Sequence, residues 1–421
     1  MLNIVVLGLG HLGCVTAACL ARHHRVTGLD FDEPVLAALR RGQAPVHEPG
    51  LDALLASGLA SGHLTFGGLV PSAPNVDLVW ICYDTPVDAG DNSDVAWVMA
   101  RIARVLRKLP AGKVVLLSSQ LPVGTCAALA RQYPKHQFAS SPENLRLGRA
   151  IEAFEHPARI VVGAAPPIRH VLETILAPLG APILWMRPES AEMVKHALNG
   201  FLALSIAYIN EIATLSATVG ADALEVAAAL KSDPRIGSKA YLSPGGPFAG
   251  GTLARDVVTL TGLGQTHGLP LHLVSAIKTA NDCHRGWVFR QLQTALRGTD
   301  HPVIAILGLT YTPGTSTLRR SASVELIREL LATGAQVRAY DPVVRTADAE
   351  HRDLPLVTSV AEALHRAHAV VICTEWPALR ELAWPELLAG MSRPIVVDAN
   401  RLVENAVAAA PGVVYLTVGR P

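Results

Sequence analysis

The residues Gly8-Leu9-Gly10-His11-Leu12-Gly13 come directly after the apolar run NIVVL and open a stretch of helical character. In such a G-x-G-x-x-G turn the first glycine permits the tight bend, the second lets the backbone approach a pyrophosphate, and the third allows close helix packing. The helix N-terminus offers free N–H groups and a partial positive charge to phosphate oxygens. Asp30 closes the next apolar run, where a carboxylate accepts both ribose hydroxyls and repels a 2′-phosphate. The chemistry is dinucleotide binding, NAD rather than NADP, with Gly8, Gly10, Leu12, Gly13 and Asp30 as cofactor candidates. A second chemical stretch is FAGGTLARD, Phe248 to Asp256, in which adjacent glycines precede a hydroxyl, a base and an acid. Its composition suits a loop that grips a substrate. Lys195 and Asn199 stand one helical turn apart and so share a face.

These residues need elements to hold them. NIVVLGLG, CVTAACLARH, RVTGLDFD and EPVLAALRRG alternate strand-length apolar runs with helix-length amphipathic ones, the pattern of βαβ units and a parallel sheet. DLVWICYD, KVVLLSS and RIVVGA continue it to about Trp185. From Ser190 the apolar spacing is helical for about thirty residues without proline, which predicts one helix on the order of 45 Å. A second α/β pattern begins near His301 with strands PVIAILGLTY, AQVRAYDP, AVVICTEW and RPIVVDAN and the helix SASVELIRELLATG. The predicted fold is α/β, two Rossmann-like doubly wound domains joined by a long central helix: 1–189 for NAD, 190–298 helical and dimerising, 299–421 for a nucleotide sugar.

Composition narrows the function classes. Basic and acidic residues nearly balance, 36 against 35, so there is no broad positive field and nucleic acid is not an expected partner. No uninterrupted apolar run is long enough to cross a bilayer, and the chain starts a strand at once, so a cytoplasmic protein without membrane attachment is expected. The six cysteines are scattered without a C-x-x-C pair and the sixteen histidines show no ligand spacing, so no metal is expected.

Ordered segments along nearly the whole chain resemble the UDP-glucose/GDP-mannose dehydrogenase family of nucleotide-sugar dehydrogenases. They include QAPVHEPGL, YDTPVDAGDNSD, SSQLPVGT, SPENLRLGRAI, KHALNGFLALSIAYINEIA, DPRIGSK, GLTYTPGTSTLRRSA, YDPVV, TEW and DANRL. The resemblance implies oxidation of the primary alcohol of a nucleotide-bound hexose in two NAD-dependent steps. A lysine, an aspartate and water handle the proton and oxyanion in the first; a cysteine then captures the aldehyde, and its thioester is hydrolysed. By resemblance Lys195, Asn199 and Asp256 stand at the family's lysine, asparagine and aspartate, and Glu143 at its first glutamate. Thr85 falls in the cofactor-side T-P segment, Arg319 at the arginine near the cofactor, and Arg235 at the arginine that reaches substrate across a subunit interface. Phe248, Gly250 and Gly251 belong to the substrate loop.

The departures are not random over that mechanism. Thr252 replaces the catalytic cysteine, Leu147 the second glutamate, Gln120 a threonine, Arg255 a lysine and Thr312 another lysine. A thiolate is a strong nucleophile at neutral pH and an unactivated hydroxyl is not. The groups lost belong largely to aldehyde capture and thioester hydrolysis, and those kept serve alcohol oxidation. The expectation is a two-electron oxidation of a nucleotide-linked sugar, a UDP-sugar foremost, without a thioester step. Three alternatives stay open: four-electron oxidation by a cysteine-independent route, in which Thr252 orders water; transient oxidation of the epimerase kind; and a non-catalytic nucleotide-sugar-binding homologue. The long helix and Arg235 favour a homodimer.

Overall fold

The computed structural model describes the chain except residues 69–75, 89, 144, 146, 249–251, 311, 319, 320, 347–349 and 409. It divides into two compact units, Met1–Leu198 and Asn199–Pro421.

The first unit is built on strands β1 (Asn3–Leu7), β2 (Arg25–Leu29), β3 (Leu64–Gly67), β4 (Leu78–Ile81), β5 (Val114–Leu117), β6 (Gln137–Ser140), β7 (Ile160–Gly163) and β8 (Ile183–Met186). They lie in the order β3-β2-β1-β4-β5-β6-β7-β8. All pairs are parallel except β6 with β7, which meet antiparallel at Ser140 and Gly163. The central strands are buried on both faces, as parallel strands covered by helices require. Along β1, Ile4 and Val6 face one core with Leu12 and Val15, whereas Val5 and Leu7 face the other with Val98 and Ile102. The strand order reverses between β1 and β4, and ligands of doubly wound sheets bind in the crevice at such a point. Gly8 leaves β1 at φ +94° with its N–H on Leu29 O at 3.0 Å, and a Cβ there would lie 2.8 Å from Tyr83 N. Only glycine fits. Helices α1 (His11–Leu20) and α2 (Thr125–Gln132) start at the same edge.

Helix α3 (Pro188–Val219, 32 residues) carries the chain into the second unit, as the uninterrupted helical spacing predicts. Among the described residues it is the helix long and apolar enough, by length and composition, to cross a membrane. The expectation concerned unbroken apolar runs, and α3 is not one. Polar residues interrupt α3, and Glu192, Lys195, His196, Asn199 and Asn210 are buried on protein partners.

In the second unit α4 (Ala223–Ser232), α5 (Thr252–Thr266) and α6 (His272–Arg285) precede a parallel sheet. Its strands β9 (Val303–Leu307), β10 (Gln336–Tyr340), β11 (Ala369–Ile372), β12 (Ile395–Asp398) and β13 (Val414–Leu416) run in the order β10-β9-β11-β12-β13. Helix α7 (Ala322–Ala332) is capped by Ser321. Gly308 repeats the joint of Gly8: φ +92°, N–H on Tyr340 O at 2.8 Å, and no room for a Cβ beside Thr374 N. Asp341 Oδ2 accepts from Leu309 N at 2.7 Å, as Asp30 Oδ2 does from Leu9 N at 2.7 Å.

Candidate active site

The glycine turn has the close approach that its sequence requires. A Cβ on Gly13 would sit 1.7 Å from Gly8 O, which fixes α1 against the start of its own loop, and Leu12 is buried behind it. Asp30 ends the second strand with Oδ1 accepting from Phe31 N at 2.7 Å, so its carboxylate is held at the rim of the turn. Thr85 Oγ1 donates to Gln120 O at 2.8 Å and ties the T-P segment to the loop before α2. Glycine backbone at the helix start and a carboxylate fixed just past the neighbouring strand fit a dinucleotide.

Glu48 anchors the same region from behind. This buried carboxylate lies 2.9 Å from His11 Nε2 and accepts from Gly148 N and Ala150 N, each at 2.8 Å. It joins the first residue of α1 to the turn that contains Leu147.

A narrow cleft of about 20 Å³ in the first unit is lined by Ser118, Ser119, Gln120, Glu143, Lys195 and neighbours. Lys195, a residue only 9 % exposed, donates from Nζ to Glu143 O at 2.7 Å and lies 3.6 Å from Glu143 Oε1. The lysine and glutamate singled out in the sequence are thus brought together by the fold. Glu143 Oε2 also accepts from Leu145 N, which turns its own loop back on itself. On the face of α3 that carries Lys195, Glu192 accepts from Gly124 N at 2.5 Å and Cys126 N at 2.8 Å, satisfying N–H groups at the start of α2. His196 Nε2 donates to Leu121 O at 3.1 Å. Glu192 and His196 therefore fix the Gln120 loop beside Lys195. Sequence reasoning missed both, although Glu192 stands three residues before Lys195 and four before His196, a helical spacing that was the available signal.

In the second unit Asn199 Nδ2 donates to Asp256 Oδ2, and Asp256 is fully buried. Thr252 opens α5 one turn earlier and is exposed. The segment leading to it is clamped by side chains from several elements. Gly245 N donates to Asn210 Oδ1 at 3.0 Å, Gly246 N to Asn400 Oδ1 at 2.7 Å, and His284 Nε2 to Gly245 O at 2.7 Å. Asn281 takes both main-chain groups of Phe248, each at 2.9 Å. The Phe248 side chain itself packs into a core with Ala203, Ala254 and Ile277. None of these four clamping residues was singled out in the sequence, because each lies tens of positions from the loop. Arg235 is exposed and pairs with Asp233 at 2.6 Å. Gly250, Gly251 and Arg319 lie outside the described residues.

The buried thiols offer no ready nucleophile. Burial pushes those of Cys14, Cys82 and Cys126 far above the ordinary thiol range and that of Cys19 up to about 12. Cys283 is exposed on α6.

Comparison with known proteins places this geometry. The NAD binding domain of the UDP-glucose/GDP-mannose dehydrogenase family matches residues 2–179, its central domain residues 189–283, and its UDP binding domain residues 305–405. The chain belongs to the UDP-glucose/GDP-mannose dehydrogenase family. Among its relatives, a UDP-glucose 6-dehydrogenase of Rhizobium meliloti (strain 1021) is 35 % identical over 440 residues, covering 100 % of both chains. UDP-glucose 6-dehydrogenase TuaD of Bacillus subtilis (strain 168) is 31 % identical, covering 100 % of this chain and 94 % of its own. A UDP-glucose dehydrogenase structure from Pyrobaculum islandicum superposes with a TM-score of 0.88 at 30 % identity, covering 100 % and 98 % of the two chains. As a family member this dehydrogenase is an NAD-dependent oxidoreductase whose ligand class is the nucleotide sugar. The two α/β domains and helical centre implied by the resemblance are those of the fold, and NAD is its cofactor.

Proposed function

We propose that this dehydrogenase oxidises the alcohol of a nucleotide-linked sugar, a UDP-sugar, by two electrons and releases the carbonyl without a thioester. The observation that carries the reading is the contrast within the site. Lys195 is buried on Glu143 and Asp256 is buried on Asn199, while the position of the family's cysteine holds the exposed hydroxyl of Thr252. Buried polar groups are costly to keep unless a partner satisfies them, and these have partners. When bound, NAD would supply the acceptor for a hydride from the carbinol carbon, so that the sugar is left as a carbonyl with one proton to be taken up. Asp256 receives that proton and the Lys195 cation steadies the developing alkoxide, while Asn199 orients Asp256 and Glu143 orients Lys195. Gly8, Gly10, Leu12, Gly13, Asp30, Thr85 and Arg319 hold the cofactor. Phe248, Gly250, Gly251, Leu147 and Arg235 belong to the substrate side, with Phe248 shaping the loop from its core position.

The organisation we propose is an NAD domain over 1–189, a dimerising helical domain over 190–298 and a nucleotide-sugar domain over 299–421, in a cytoplasmic homodimer. A stripe on α3 supports the dimer: Phe201, Tyr208 and Leu215 recur every seven residues and are 64 %, 47 % and 59 % exposed. Apolar side chains aligned on one helix face favour a second copy over water.

Incubation of the pure protein with NAD and candidate UDP-sugars, with NADH counted per product by mass spectrometry, tests the reading. One NADH and an aldehyde or ketone are expected. Two NADH and a carboxylate overturn it, and an epimer without net NADH favours transient oxidation.

A further inference from the structure

The N-terminus of α1 carries an acidic partner from elsewhere in the chain. Gly10, the residue before the helix, has no side chain to cap it, and the first turn of α1 has no acidic residue. Asp84 supplies the missing anion: its Oδ2 accepts from His11 N at 3.1 Å, and a Cβ on Gly10 would lie only 2.2 Å from that same oxygen. The fold delivers it there because β4 pairs with β1, Ile81 opposite Leu7, so the residues after β4 pass over the glycine turn. Asp84 is exposed, so its side chain has solvent to rotate into.

That N–H is where a dinucleotide's pyrophosphate docks. The carboxylate and the pyrophosphate are both anions, and they compete for one helix dipole and one set of donors. Asp30 adds a second negative group on the other side of the turn, on Leu9 N at 2.7 Å. We propose that Asp84 is a built-in competitor for the cofactor site: it caps α1 in the free protein, must leave for NAD to bind, and thereby sets the affinity for NAD. The inference rests on the dinucleotide site at this turn. It assigns Asp84 a role in affinity, outside the reacting atoms.

The experiment is calorimetric titration of the full-length wild type, Asp84→Asn and Asp84→Gly with NAD and with ADP-ribose, which keeps the pyrophosphate and lacks nicotinamide. Both variants are expected to bind both ligands more tightly, by roughly threefold to thirtyfold. The ligand-free Asp84→Gly form is expected to unfold at a lower temperature than the wild type, because the cap of α1 is lost, and the Asp84→Asn form by less, because its amide oxygen still accepts from His11 N. Tighter binding from a less stable protein is an outcome that general damage to the fold does not produce. Unchanged or weaker binding in both variants, with the wild type binding NAD, overturns the inference and leaves the cofactor site standing. Absence of NAD binding in all three proteins overturns the dinucleotide site and this inference together.

Discussion

Lys195 Nζ lies 2.7 Å from the main-chain oxygen of Glu143 and 3.6 Å from its carboxylate, so a cation on the long helix is aimed by the turn of a distant loop. Charge held in place before reaction stabilises an alkoxide without reorganisation at the moment it forms. Lys195→Ala is expected to lower kcat by roughly 10²–10⁴-fold while nucleotide-sugar affinity changes little. Stopped-flow NADH absorbance and calorimetry separate the two effects, and a loss confined to affinity would place Lys195 in binding alone.

Thr252 offers a sharper test of the shortened reaction. Thr252→Ala is expected to retain one NADH per sugar with less than about a tenfold loss in rate, because the hydroxyl is not required for hydride removal. Thr252→Cys supplies a nucleophile. Its thiolate adds to the carbonyl carbon, a second hydride leaves to NAD, and a thioester results; Leu147 cannot assist its hydrolysis. Intact-protein mass spectrometry should then show a sugar adduct on the cysteine variant.

The buried pair in the second unit contributes to stability as well as to chemistry. Asn199→Ala removes a donor from the fully buried Asp256 carboxylate, and the expected cost is about 1–3 kcal/mol. Thermal or urea unfolding measures it. Asn199→Asp should be worse than alanine, since it sets two carboxylates against each other.

His284 makes the loop before Thr252 sensitive to acid. Burial lowers its pKa, and its Nε2–H is committed to Gly245 O at 2.7 Å. A depressed histidine pKa contributes stability that is complete above the unfolded value of about 6.5 and is lost as pH falls through the folded value. Unfolding midpoints measured from pH 8 to 5 should decline through this window, and His284→Gln should flatten the decline.

The exposed stripe on α3 predicts its own disruption. Leu215→Glu introduces a charge into an apolar contact between copies and should weaken self-association at least about tenfold. Sedimentation velocity over a concentration series reads the change. A wild type that remains monomeric at high concentration would remove the dimer from the proposal.

Much of the fold was legible in the residues, for identifiable reasons. β1, β2, β4, β5, β7 and the long helix were visible because burial on both faces or a helical period leaves a strong apolar signature. The expectation did not specify β3, β6, β8 or β13, which are three or four residues long. Three of them lie at sheet edges, where one-sided burial shortens the pattern. The antiparallel turn of the sheet rests on Ser140 and Gly163 alone, which no periodicity announces. Lys195 and Asn199 could be paired by helical spacing; Glu48 could not be joined to Gly148, nor Asp84 to His11, because sheet order rather than sequence spacing brings them together.

Gly8 and Gly308 make the same bend at the same place in two sheets, yet the chain beyond each bend differs. Three positions after Gly8 a helix has begun, whereas the helix after Gly308 waits until Ala322. The same glycine bend thus opens two unlike passages of chain. Efforts to retune what either half accepts should therefore leave the glycine bend untouched and mutate the residues after it.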